Sequence, residues 1–174
     1  MTAPVSYTRI DSPVGRLLLA ADEERLRVLS FLEGREDKAI APDPAWREVA
    51  PDDSAGLPEV LRETIRQLRA YWSGELRDFD LPLRPEGTPF QRAVWKELCA
   101  IPYGTTISYG ELARRVGNPK GSRAVGLANG SNPIAIVIPC HRVIGANGKL
   151  TGYGGGLPIK EKLLELEQQR LTLV

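Results

Sequence analysis

At Leu83-Arg84-Pro85-Glu86-Gly87 the chain changes character, and no other stretch constrains its fold as much. Proline fixes one backbone dihedral and removes a donor, and a glycine follows two positions later, so neither a helix nor a central strand runs through. Charge reverses at the same point. Residues 1–87 hold 12 Lys and Arg against 17 Asp and Glu, a balance of −5; residues 88–174 hold 11 against 5, a balance of +6. The 174 residues therefore read as a scaffold domain over 1–83, a linker over 84–87 and a second domain over 88–174. A basic half beside an acidic half suits a polyanionic partner for the second domain, although chance also distributes charge this way.

Several classes are excluded. The longest apolar runs, Leu17–Ala21 and Ile134–Ile138, span five residues each, against the ~20 that cross a bilayer. The first residues lack a basic and an apolar signal region, so a cytoplasmic location is expected. Cys99, Cys140 and the single His141 cannot make a four-ligand Cys/His zinc site, and no metal is expected.

The first half reads as mixed α/β. Val5–Ile10, Arg16–Ala21 and Arg25–Phe31 have strand character and are separated by Asp11–Gly15 and Asp22–Glu24. Leu61, Ile65, Leu68 and Trp72 recur at helical spacing between Pro58 and Ser73, and Gly74 stops the helix. No catalytic cluster is visible there.

The second half is more explicit. Thr88-Pro89-Phe90-Gln91 is a capping box with proline at the first helical position; Phe90, Val94 and Leu98 form the buried stripe, with Cys99 packed at least partly inside. Ser108–Glu111 reads as a second capping box opening a short helix, which Gly117-Asn118-Pro119 stops. Another helix runs from about Ser122 to Asn129. The pattern fits a helix-turn-helix or an ordinary helical hairpin. Ser122, Ala124, Gly126 and Gly130 are small, and Arg123 is the one large polar side chain. Such a helix approaches a sugar-phosphate surface closely but reads base edges poorly.

Ile134–Ile138 reads as a buried strand ending at Pro139-Cys140-His141-Arg142-Val143. The only histidine thus adjoins one of two cysteines at the end of an apolar element, as a reactive pair or as a buried thiol beside a surface imidazole. A thiol of ordinary pKa ~8.5 is mostly protonated at neutral pH, and an imidazole held by a carboxylate can take its proton. Glu167 falls on the apolar arc of a last helix opened by Pro158, between Leu163 and Leu164, and is a candidate for that carboxylate. Lys160 lies near the same arc and is expected to snorkel to solvent. Thr151-Gly152-Tyr153-Gly154-Gly155-Gly156 reads as a glycine-rich lid; without a βαβ context it is no dinucleotide fingerprint.

Gly87–Gln91, Ile101–Gly110, Arg123–Gly126, Asn132-Pro133, Pro139–Val143, Tyr153–Gly156 and Lys160–Leu164 together closely resemble the O6-alkylguanine-DNA alkyltransferases, the methylated-DNA–protein-cysteine methyltransferases. The resemblance covers nearly all of the second half in collinear order and the first half more loosely. It implies an α+β chain: an N-terminal ribonuclease-H-like α/β domain with a small antiparallel sheet, then a mainly helical domain with a winged-helix-like helix-turn-helix. It implies repair of O6-alkylguanine, and by extension O4-alkylthymine, by a monomer that binds double-stranded DNA through the minor groove, flips the base and needs no cofactor. Cys140 would take the alkyl group once, as a thiolate in relay with a water, His141 and Glu167. Tyr109 would assist phosphate rotation and hydrogen-bond or protonate the leaving guanine, and Arg123 would fill the vacated place in the stack. Ser122, Ala124 and Gly126 would meet DNA. Asn132 would brace the active-site turn, backbone groups of Cys140 and Val143 would read the guanine edge, and Tyr153 with Gly154 would wall the pocket. Some eukaryotic members hold zinc in the first half through Cys and His, and residues 1–87 contain neither. A non-catalytic binder of alkylated DNA would keep the fold and replace Cys140. A Cys-His hydrolase would use the pair with an oxyanion hole.

Overall fold

The computed structural model describes residues 3–33, 42–150, 153 and 155–172, the side chains of 169–172 excepted. The chain divides into two compact units, Met1–Pro85 and Glu86–Val174.

The first unit is a sheet covered by a helix. Strands β1 (Ser6–Ile10), β2 (Leu17–Ala21) and β3 (Leu26–Phe31) form an antiparallel meander, and a two-residue strand β4 (Arg47–Glu48) joins β1 in parallel, giving the order β3-β2-β1-β4. All five residues of β2 are inaccessible to solvent, which is why that segment is a continuous apolar run rather than an alternating one. Helix α1 (Glu59–Ser73) packs on β2 and β3. Pro58 precedes it, where a missing N–H costs nothing, and Gly74 closes it in the left-handed conformation with φ 82°.

The second unit is mainly helical: α2 (Pro89–Leu98), α3 (Tyr109–Arg115), α4 (Ser122–Gly130) and α5 (Leu157–Thr172), with a two-residue parallel pair, β5 (Ile107–Ser108) and β6 (Val143–Ile144). At α2 the capping box is complete: Gln91 N donates to Thr88 Oγ1 at 3.1 Å and Thr88 N donates to Gln91 Oε1 at 2.9 Å. At α3 only half of it forms. Ser108 Oγ accepts from Glu111 N at 3.1 Å, but the Glu111 carboxylate turns outward to Arg114 and Arg115.

Three expectations about packing are corrected. Phe90 is exposed and Trp95, one residue past Val94, takes the inner face of α2, where its Nε1–H donates to Ala128 O of α4 at 2.8 Å. Cys99, the C-cap of α2, is exposed as a residue, although partial burial of its sulfur still raises the thiol pKa. Ile134–Ile138 is buried as expected but is not a strand. Ile138 N donates back to Ile134 O at 3.0 Å and Val137 N to Ala135 O at 2.7 Å, so the segment folds into turns.

Trp95 also explains a glycine. A Cβ at Gly87 would stand 2.4 Å from the Trp95 ring, far inside van der Waals contact. Gly87→Ala should therefore destabilise the second unit by about 1–3 kcal/mol through overpacking, measured as a lower urea midpoint at unchanged m-value. An unaltered midpoint would contradict this reading.

Candidate active site

Cys140 lies in a single turn of 3-10 helix, Cys140–Arg142, which Pro139 enters and β6 leaves. The turn brings the consecutive side chains of Cys140 and His141 out of the opposed arrangement they would have in a strand. Asn132 fixes the segment leading to it: its Oδ1 accepts from Ile134 N at 3.0 Å and its Nδ2 donates to Ile138 O at 2.8 Å. Between these anchors Ile136 adopts φ 69°, the one non-glycine residue with positive φ among those described. A buried β-branched residue in the left-handed region is strained, and the Asn132 clamp is what holds it.

Glu167 gathers the site. Its fully buried carboxylate accepts from His141 Nε2 at 2.7 Å and from Arg142 Nε at 2.8 Å. Arg142 completes its pairing by donating from Nη1 to Ile101 O at 2.7 Å, with its guanidinium 5.7 Å from the centre of the Tyr103 ring. Burial alone would raise the Glu167 pKa, but His141 and Arg142 together outweigh it and hold the carboxyl below its usual range. Burial lowers the His141 pKa further than Glu167 raises it, so the imidazole is neutral. With a carboxylate at Nε2, the proton must sit there. Nδ1 is then a bare acceptor, buried and without a hydrogen-bond partner among the described residues.

Cys140 is 5% exposed. Burial pushes its thiol up; hydrogen bonds from Asn132 and Tyr153 and the charge of Lys160 oppose that without cancelling it. The balance favours the thiol in the free protein, because one cation and a few neutral donors do not replace lost water.

Lys160 is the residue that sequence reasoning misplaced. It is fully buried, its Nζ donates to Val143 O at 2.7 Å and lies 6.0 Å from the centre of the Tyr109 ring. Burial lowers its pKa to about 8, outweighing the opposing charge of Cys140. Lys160, Leu163, Leu164 and Glu167 form the buried stripe of α5 at i, i+3, i+4 and i+7, so the stripe itself marked Lys160 as an inside residue. Arg142 and Asn129 were likewise not singled out. Asn129, buried in α4, donates from Nδ2 to Cys140 O at 3.3 Å. Of the Cys140 and Val143 backbone groups expected to read a guanine edge, both carbonyls thus have a protein donor, and each keeps a second lone pair.

The other sequence-selected residues fall nearby or on one helix. Tyr109 opens α3, half-buried, and Gly126 of α4 sits against it, since a Cβ there would lie 3.7 Å from the ring. Ser122, Arg123 and Ala124 are exposed along α4. Tyr153 is buried, and Gly154 lies outside the described residues. Among the described residues no group of three or more His, Cys, Asp or Glu is placed to hold a metal, and no helix is long and apolar enough to cross a membrane.

The pKa directions set a stability profile. His141 binds fewer protons folded than unfolded, so its share of stability is complete above 6.5, its ordinary value, and is lost as pH falls through the window below it. The Glu167 share is present above 4.5 and lost at lower pH still. Because the chain has one histidine, unfolding free energy should drop by about 1–2 kcal/mol between pH 7.5 and pH 5, measured by urea titration. A protein more stable at pH 5 would mean a charged His141.

Comparison with known proteins shows the family. Residues 5–85 match the family described as 6-O-methylguanine DNA methyltransferase, ribonuclease-like domain, and residues 89–169 match its DNA binding domain. A methylated-DNA–protein-cysteine methyltransferase of Methanosarcina acetivorans is 56% identical over 161 residues, covering 92% of this chain and 97% of that protein. Its counterpart from Mycobacterium tuberculosis is 51% identical over 166 residues, covering 95% and 94%. The crystal structure of Mycobacterium tuberculosis OGT in complex with DNA superposes with a TM-score of 0.83 at 49% identity, covering 95% of this chain and 94% of that one. Two domain matches that together span most of the chain, and full-length relatives above half identity, show that it belongs to the methylated-DNA–protein-cysteine methyltransferase family.

Proposed function

We propose that this protein reverses O6-alkylguanine damage in duplex DNA by taking the alkyl group irreversibly onto Cys140. The observation that carries the mechanism is the hydrogen bond from His141 Nε2 to Glu167, which leaves Nδ1 as the acceptor for a proton leaving Cys140. In one displacement the Sγ–carbon bond forms and the carbon–O6 bond breaks. The thiol proton passes through a water to His141 Nδ1, and Glu167 stabilises the imidazolium as it forms. The departing guanine takes a proton, with Tyr109 as the donor or hydrogen-bond partner. Lys160, close enough to Cys140 to act on its charge, favours the thiolate in the transition state. The product is a thioether with no good leaving group, so each molecule acts once.

DNA enters through the second unit in this reading. The helix pair α3–α4 presents Arg123 with Ser122 and Ala124 to a minor groove, and Arg123 occupies the stack when the base flips out. Gly126, packed by Tyr109, lets α4 lie close to that ring. Asn132 keeps the Cys140 turn in shape, and Tyr153 walls the pocket. The protein acts as a monomer in the cytoplasm, where DNA is accessible to it. O4-alkylthymine is a second substrate of the same displacement. The buried Ala135 lies in the turn before Cys140, and its small side chain leaves room for adducts larger than methyl.

Incubation with a duplex containing O6-methylguanine should add one methyl to the peptide holding Cys140, with loss of one lesion per protein and no transfer by Cys140→Ala. Repeated turnover would favour a hydrolase, and tight lesion binding without transfer a non-catalytic binder. Arg123→Ala should slow repair of duplex by at least tenfold while leaving reaction with free O6-benzylguanine within twofold; equal slowing of both would contradict its role in flipping.

A further inference from the structure

The outward face of α4 carries a second large side chain besides Arg123. Leu127 is 72% exposed, against 38% for Phe90 and 43% for Leu157, the other exposed large hydrophobics among the described residues. It stands four positions after Arg123, one helical turn along the same face. Val125, Ala128 and Asn129 point inward, while Ser122, Ala124, Gly126 and Gly130 are short. The outer surface of α4 is therefore a low floor with two projections, one cationic and one apolar.

The Leu127 side chain stays largely in water, while Val125, Ala128 and Asn129 are the buried residues of α4. We propose that Leu127 is a second DNA-contacting prong, an apolar wedge that packs on the deoxyribose walls of the minor groove one turn from Arg123. The inference rests on the function proposed above and adds a residue that sets affinity for the duplex. The occupant is duplex DNA because Arg123 shares the face and residues 88–174 carry an excess of six positive charges. The sugar walls of a minor groove offer C–H surface that cannot satisfy a charged side chain but is complementary to leucine. An aliphatic group there also forms no hydrogen bonds to base edges, so it adds affinity without adding sequence preference. A repair protein whose lesion can occur in any sequence needs that combination.

The test compares wild type, Leu127→Ala and Leu127→Met for binding to an O6-methylguanine duplex over a salt series, and for alkyl transfer from that duplex and from free O6-benzylguanine. Leu127→Ala should bind the duplex roughly 5- to 20-fold more weakly, as loss of a buried leucine surface predicts. The slope of log affinity against log salt should not change, because no phosphate contact is lost. Transfer from the free base should stay within twofold, and Leu127→Met should restore duplex affinity. Duplex affinity of Leu127→Ala within twofold of wild type would overturn the inference. So would a changed salt slope, or equal loss on both substrates, which would mark a structural role. Failure of the wild type to alkylate Cys140 would instead overturn the functional reading on which the inference stands.

Discussion

A single buried carboxylate ties the reactive end of the second unit together. Glu167 receives the Nε2–H of His141 and the Nε–H of Arg142, and without it two buried N–H donors would lose their acceptor. Arg142 in turn ties the Cys140 turn to Ile101 at the end of the α2 region. Glu167 therefore does two things by one arrangement: it anchors α5 to the turn that carries the sulfur, and it decides which imidazole nitrogen is free to accept a proton. The stability of the turn and its chemistry share one electrostatic origin.

Burial sets the remaining terms. A sulfur sheltered from water holds its proton more tightly, which protects it from reaction with solutes before a substrate arrives. The groups that can compensate are placed around it rather than exposed: Lys160 as a cation lowered to about 8 by its own burial, and Asn132 and Tyr153 as donors. Each gains strength in a medium where charges are poorly screened. The strained Ile136 and the Asn132 clamp fix the path of the chain into the Cys140 turn, since Asn132 bonds both Ile134 N and Ile138 O.

Much of this was legible beforehand, and the failures have physical causes. The capping residues Thr88 and Ser108, the stop at Gly74, and the helix pair of α3 and α4 follow from local rules that tertiary structure did not override. The Cys140–His141–Glu167 grouping was within reach because helical periodicity placed Glu167 among leucines. Periodicity could not separate a buried strand from a buried turn at Ile134–Ile138, since both want continuous apolar residues; only the Asn132 side chain, bonding across six positions, decides it. Lys160 was misjudged because an isolated lysine has room to snorkel. Its acceptor, the Val143 carbonyl 17 positions earlier, is visible only in three dimensions. Trp95 displaced Phe90 from the core for a similar reason: its indole N–H finds Ala128 O on α4.

The central claim is that the imidazole next in sequence to Cys140 is neutral, with its proton on Nε2 facing Glu167. The chain contains one histidine, so nitrogen NMR of the labelled protein at pH 7 reads that ring without ambiguity. The account predicts a neutral ring protonated at Nε2 with a bare Nδ1. An imidazolium at that pH, or a proton on Nδ1, would contradict it.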